Sequence, residues 1–150
     1  DVYGWCLPDI KPKWWQQLRA LNSLVLPVYS SRVSAGFPSP ADDYAESRLD
    51  LNEKLILNPN ATFLVKCDTE AMTDVGIFSD DLLIVDRSRQ AKNGDVVIAA
   101  ADGQLVIRRL HQSSQGIALV PENREFSVIP ITEASDFMIW GVVQSTIHSF

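Results

Sequence analysis

Asp95-Val96-Val97-Ile98-Ala99-Ala100-Ala101-Asp102-Gly103-Gln104-Leu105-Val106-Ile107-Arg108-Arg109-Leu110 decides the fold class. Two apolar runs flank an Asp-Gly pair. A two-residue type I′ turn needs positive φ at both central positions, and Asp followed by Gly supplies that at least cost. The stretch therefore predicts an antiparallel hairpin. Outward from it lie more runs of the same kind: Thr62-Phe63-Leu64-Val65-Lys66-Cys67, residues 82–85 between Asp81 and Asp86, residues 116–120 before Pro121, and residues 137–143. Asn93-Gly94 marks a further turn. The pattern predicts a mainly β fold, with helix confined to the first third.

That first third has a different texture. It holds Trp5, Trp14 and Trp15, and no glycine occurs between Pro12 and Leu26. Pro12 suits the first turn of a helix, where its missing N–H costs nothing. Trp14, Leu18, Leu21 and Val25 then share one helical face, which predicts a short amphipathic helix ending before Pro27. That face either packs on the chain's own core or docks on a partner. Gly36, Pro38 and Pro40 predict an extended linker over residues 31–48. A helical turn is predicted over residues 49–55, before Pro59. The organisation expected is an N-terminal arm at 1–33, a linker at 34–48 and a β domain at 49–150.

The chain has 150 residues, 46% of them apolar, and a net charge of −6. One core of its own is affordable at this length. An acidic chain lacks the cations that drive counterion release, so direct coating of nucleic acid or anionic membrane is not expected. Cys6 and Cys67 form no CxxC and imply no disulfide framework, which makes a reducing, cytoplasmic setting the expectation. No apolar run reaches the ~20 residues that span a bilayer. Glycines occur singly, so no phosphate loop is read, and His111 and His148 lack ligand partners at useful spacing. No metal or cofactor is expected. The pairs Asp42-Asp43 and Asp80-Asp81 read as a solvated loop and a turn before a strand.

A longer pattern carries more. It begins at Ser34-Ala35-Gly36-Phe37-Pro38-Ser39-Pro40-Ala41 and continues through Asp43-Tyr44, Arg48-Leu49-Asp50-Leu51-Asn52, Val65-Lys66, Met72, Asp74 and Gly76-Ile77. It runs on through Asp81-Leu82-Leu83-Ile84-Val85-Asp86, Gly94-Asp95-Val96-Val97-Ile98-Ala99-Ala100 and Asp102-Gly103, then more loosely through Pro121-Glu122-Asn123 and Gly141-Val142-Val143. This pattern resembles the UmuD-like SOS-mutagenesis family and, more distantly, the C-terminal domain of LexA-type repressors. Residues 1–24 have no counterpart in it.

The resemblance implies a β domain that cuts its own chain after a small residue, here at Ala35–Gly36, with a serine nucleophile and a lysine base. A neutral lysine base requires burial that lowers its pKa. In this chain the serine position is Ala71, in Thr69-Glu70-Ala71-Met72, and the lysine position is Arg108. Alanine has no nucleophile, and a guanidinium stays protonated below pH ~12. Thr69 and Thr73 are displaced by two residues, Cys67 reads as a core residue, and Lys66 and Lys92 read as solvent-exposed. Self-cleavage is therefore not expected. The joint presence of Arg108, Glu70 and Cys67 favours natural loss over a laboratory replacement of the dyad.

The function implied is that of a UmuD-like accessory protein of the DNA-damage response. It would be a homodimer acting through a Y-family DNA polymerase subunit and the recombinase filament. Two alternatives stand beside it. One is an active Ser–Lys self-cleaving peptidase whose catalytic residues were replaced in this chain, which the native codons at 71 and 108 would decide. The other is a LexA-type repressor fragment, which needs a helix-turn-helix that one predicted helix cannot supply. Residues 137–143 are expected to need a partner chain, as too apolar for an edge strand. Arg108 is expected to pair with Glu70 or Asp74 or to turn its head to solvent, unless strand alternation simply points it outward.

Overall fold

The computed structural model describes residues 24–29 and 45–150, which fall in two units, Asp1–Asn60 and Ala61–Phe150. The first unit contains strand β1 (Val25–Tyr29) antiparallel to β2 (Ala45–Asp50), with Val25 opposite Asp50 and Tyr29 opposite Ala45. Helix α1 (Leu51–Leu55) follows directly. Asp50 caps it, its carboxylate accepting the Asn52 N–H at 2.9 Å, which satisfies one of the donors a helix start leaves open.

Two sequence expectations are corrected in this unit. Val25 and Leu26 are strand residues, not the end of a helix, because they pair with Asp50 and Leu49, a distant segment that helical spacing cannot reveal. The remainder of the predicted helix lies outside the described residues. Residues 45–48 are part of β2 rather than free linker. Pro27 is tolerated because this sheet has only two strands, so every strand is an edge.

The second unit is a seven-stranded sheet, antiparallel throughout, in the order β3-β4-β9-β5-β6-β7-β8. The strands are β3 (Thr62–Lys66), β4 (Leu82–Asp86), β5 (Val96–Ala101), β6 (Gln104–Ser113), β7 (Gly116–Val120), β8 (Ile129–Ile131) and β9 (Phe137–Ile147). The β5–β6 hairpin turns at Asp102 and Gly103 with φ of 50° and 83°, as the Asp-Gly signal requires. The chain is mainly β.

The edge-strand premise for residues 137–143 is corrected. β9 is no edge: it lies between β4 and β5 and pairs with both. Its register slips at Trp140 and at Gln144, where one extra residue is accommodated on each side. Between the slips, Gly141 lets β9 approach β4 closely. A Cβ there would stand 2.6 Å from Val85 Cγ1 and 3.0 Å from the Asp86 carbonyl oxygen.

β5 reads as an unbroken apolar run because both of its faces are covered. Val97, Ala99 and Ala101 join Leu110, Leu119 and Val142 in one buried cluster. Ile98 joins Cys67, Met72, Ile77, Leu83, Val85 and Ile107 in another. Trimming any of the large members, such as Leu119 or Met72, removes packing worth about 2–5 kcal/mol. The second cluster holds the β3 end and the turn that carries Ala71.

Candidate active-site cleft

The chain leaving β3 is pinned to the turn before β4. The Cys67 N–H donates to the Asp81 carbonyl and the Asp80 N–H donates to the Cys67 carbonyl, both at 2.8 Å. Thr69 then folds back, its Oγ1 accepting the Ala71 N–H at 3.2 Å. A 3-10 turn at Thr73–Val75 closes on Gly76, whose φ of 88° a side chain would strain. Ala71 and Met72 are fully buried.

A loop after β7 straps this turn down. The Glu122 N–H donates to the Ala71 carbonyl at 2.8 Å, and the Asp74 N–H donates to the Glu122 carbonyl at 2.9 Å. The Asn123 amide donates to the Glu70 carbonyl at 2.8 Å and to Thr73 Oγ1 at 3.3 Å. Arg109 anchors the loop to β6 through its Nε and the Glu122 carboxylate, 2.7 Å apart.

Arg108 sits in β6 opposite Val97 and is 9% exposed. Its Nη1 donates to the neighbouring Ile107 carbonyl at 2.7 Å, and its guanidinium carbon lies 5.7 Å from the centre of the Phe126 ring. That separation is within reach of a cation–π attraction. Its Nε has no hydrogen-bond partner among the described residues. Burial pulls its pKa below the ordinary arginine value, yet a guanidinium remains charged at neutral pH.

All three expectations for Arg108 are corrected. It pairs with neither Glu70 nor Asp74, it does not reach out to solvent, and it does not point outward. The aromatic cover of Phe126 and the Ile107 carbonyl hold it in. The Glu122 carboxylate of the strap goes instead to Arg109, the strand neighbour on the opposite side. The same strap therefore bonds Ala71 at one end and covers Arg108 at the other. Thr69 and Arg108 also line one cavity of about 300 Å³, together with Val65, Lys66, Cys67 and Ile107. Ala35 and Gly36 lie outside the described residues.

The cleft offers little that could replace a dyad. The Cys67 thiol is 2% exposed, donates to the Thr69 carbonyl at 3.4 Å, and is pushed up in pKa by burial, which disfavours the thiolate. The Thr69 hydroxyl is engaged by the Ala71 N–H. Lys66 and Lys92 are exposed. Among the described residues, no group of three His, Cys, Asp or Glu side chains could hold a metal ion.

A second polar centre escaped the sequence reading. The side chain of Asp81, 2% exposed, accepts the Phe78 N–H at 2.9 Å and the Thr146 hydroxyl at 3.2 Å on one oxygen, and bonds His148 Nδ1 at 2.5 Å with the other. His148 packs between the Phe78 and Phe150 rings at 5.1 and 5.5 Å. The Phe78 N–H chiefly, then His148 and Thr146, hold the carboxylate below its ordinary value against the opposing pull of burial.

Comparison with known proteins gives the cleft its context. The family model described as Peptidase S24-like matches residues 27–144. Protein SamA of Salmonella typhimurium is 42% identical over 122 residues, covering 81% of this chain and 84% of that protein. Protein MucA of Escherichia coli is 37% identical over 119 residues, 79% of this chain and 81% of its own length. The LexA repressor of Dechloromonas aromatica is 37% identical over 140 residues, 93% of this chain and 69% of the repressor. Helices offer no membrane crossing: among the described residues, none is long and apolar enough. With matches over most of its length, the chain belongs to the peptidase S24-like family, alongside UmuD-like and LexA proteins.

Proposed function

We propose that this chain is a UmuD-like accessory protein of the DNA-damage response that works by binding other proteins and does not cut itself. One observation carries the reading: the position at which the family resemblance expects a serine is a buried alanine, Ala71, and the lysine position is a buried, permanently charged arginine, Arg108. Neither half of a Ser–Lys dyad survives, because nothing at 71 can attack a carbonyl and nothing at 108 can accept a proton. The partners proposed are a Y-family DNA polymerase subunit and the recombinase filament, with the cytoplasm as the compartment. A second copy of the chain is proposed as well. The interior position of β9 removes the edge-strand argument for it, but Met138, Trp140 and Leu105 remain exposed, and Met138 and Leu105 both stand opposite Ala100 on adjacent strands.

The test is incubation with an activated recombinase filament, and separately at alkaline pH, followed by mass analysis. The intact mass is expected to persist. A fragment beginning at Gly36 would overturn the reading. Ala71→Ser alone is expected to leave the chain uncut, and Ala71→Ser with Arg108→Lys to restore cutting. Sedimentation at micromolar concentration is expected to show a dimer.

A further inference from the structure

Among the described residues, the buried guanidinium of Arg108 has no counter-charge. Among those residues it makes one hydrogen bond, to a neutral backbone carbonyl of its own strand, although a guanidinium carries five N–H donors. Its Nε is unmatched, and among the described residues no carboxylate pairs with it. Of the two acidic residues on the covering strap, Glu122 is already held by Arg109 and Glu125 is exposed, with no ion pair to Arg108. Buried charges in folded chains are normally paired, because desolvation otherwise costs several kcal/mol. An unpaired one lining a cavity is where an anionic group from another molecule would gain most.

The cavity has the form of a receptor. Its volume of about 300 Å³ is at the lower end of ligand pockets, roughly 300–1,000 Å³. Its walls are apolar at Val65, Leu83, Ile98 and Ile107. Of its other charged residues, Lys66 and Asp68 are exposed and of opposite sign, so Arg108 sets the net charge. β3, which contributes Val65 and Lys66, is an edge strand whose outer backbone groups can pair with an extended chain.

From this the geometry points to a carboxylate-binding cleft: an extended peptide lies in the Val65–Ile107 cavity and delivers a carboxylate to the Arg108 guanidinium. This deepens the reading of the chain as a binding protein by naming the ligand chemistry at the vacated site. The carboxylate comes either from the end of a chain or from an acidic side chain. A guanidinium takes either in a two-pronged bond that a lysine cannot make.

Three acetylated peptides test it on the full chain by isothermal titration: Ser-Arg-Val-Ser-Ala with a free carboxylate, the same peptide as the C-terminal amide, and Ser-Arg-Val-Glu-Ala as the amide. At least one carboxylate-bearing peptide is expected to bind about tenfold or more tightly than the neutral-ended amide. Preference for the first assigns a chain end as the source, and preference for the third an acidic side chain. Arg108→Gln is expected to abolish the discrimination, and Arg108→Lys to retain only part of it. Equal binding of all three peptides, or binding of none, overturns the carboxylate cleft. Both outcomes come from the unaltered chain, so a variant that fails to fold does not obscure them. They also leave the non-cutting reading untouched, since that is decided separately by the mass of the intact chain.

Discussion

The Asp81 corner and the Arg108 cleft belong to the same β unit, and each buries a side chain that is charged at neutral pH. They treat it in opposite ways. Asp81 is met by a backbone N–H, a hydroxyl and an imidazole, so its charge is spent on holding the turn before β4 to the end of β9. Arg108 is met by one carbonyl and an aromatic face. A saturated buried charge is a fastener. An unsaturated one lowers stability where it stands.

The sharpest way to break this comparison is to remove the fastener. Asp81→Ala strands three donors at once, and we expect it to lower the thermal midpoint by about 10 °C, read by circular dichroism. A fall no larger than that of an exposed substitution such as Glu133→Ala would show that Asp81 is not a fastener. Arg108→Met should act with the opposite sign, because it replaces an unpaired buried charge by apolar volume. Urea unfolding is expected to show a gain of about 1 kcal/mol. A loss would mean that the guanidinium is already satisfied in the free chain.

Acid titration sharpens the contrast. A carboxylate whose folded pKa lies below its unfolded value contributes stability above the unfolded value, and that contribution is lost as pH falls through the folded one. Asp81 is such a group, so stability should decline from about pH 4 downward. In Asp81→Asn that part of the decline should be absent. The smallest effect is expected from Thr146→Val, which deletes one donor of the three and should cost about 1 kcal/mol in urea.

The hairpin at Asp102-Gly103 was legible because its signal is local: two adjacent residues had to adopt positive φ, and few other pairs do so cheaply. β4, β5 and β7 were legible for a similar reason, as short apolar runs bounded by turn residues. β8 was not, since Ile129-Pro130-Ile131 is three residues long, contains a proline, and exists only because Ile117 and Leu119 lie opposite. β1 was misread because Val25 happens to fall on a helical period from Trp14. The site was half legible. The resemblance led to positions 71 and 108 and touched Pro121-Glu122-Asn123 loosely, while the strap's role in joining them was hidden, because its bonds reach back some fifty residues to Glu70, Ala71 and Thr73. The Asp81–His148 bond spans 67 positions and carries no local signature at all.

The interior position of β9 also governs how the sheet can be assembled. β4 and β5 never touch each other as neighbours, and the strand that joins them is the last in sequence among the described residues. During synthesis, β3–β4 can pair early and β5–β6–β7 can form as successive hairpins, yet each keeps one raw edge until residues 137–147 emerge. Sheet closure is then a long-range event, the slow class of step in folding, and the interval before it is when unpaired edges invite other chains. A chain stopped after Asp136 would be held in that interval permanently, and light scattering would register the aggregation that follows.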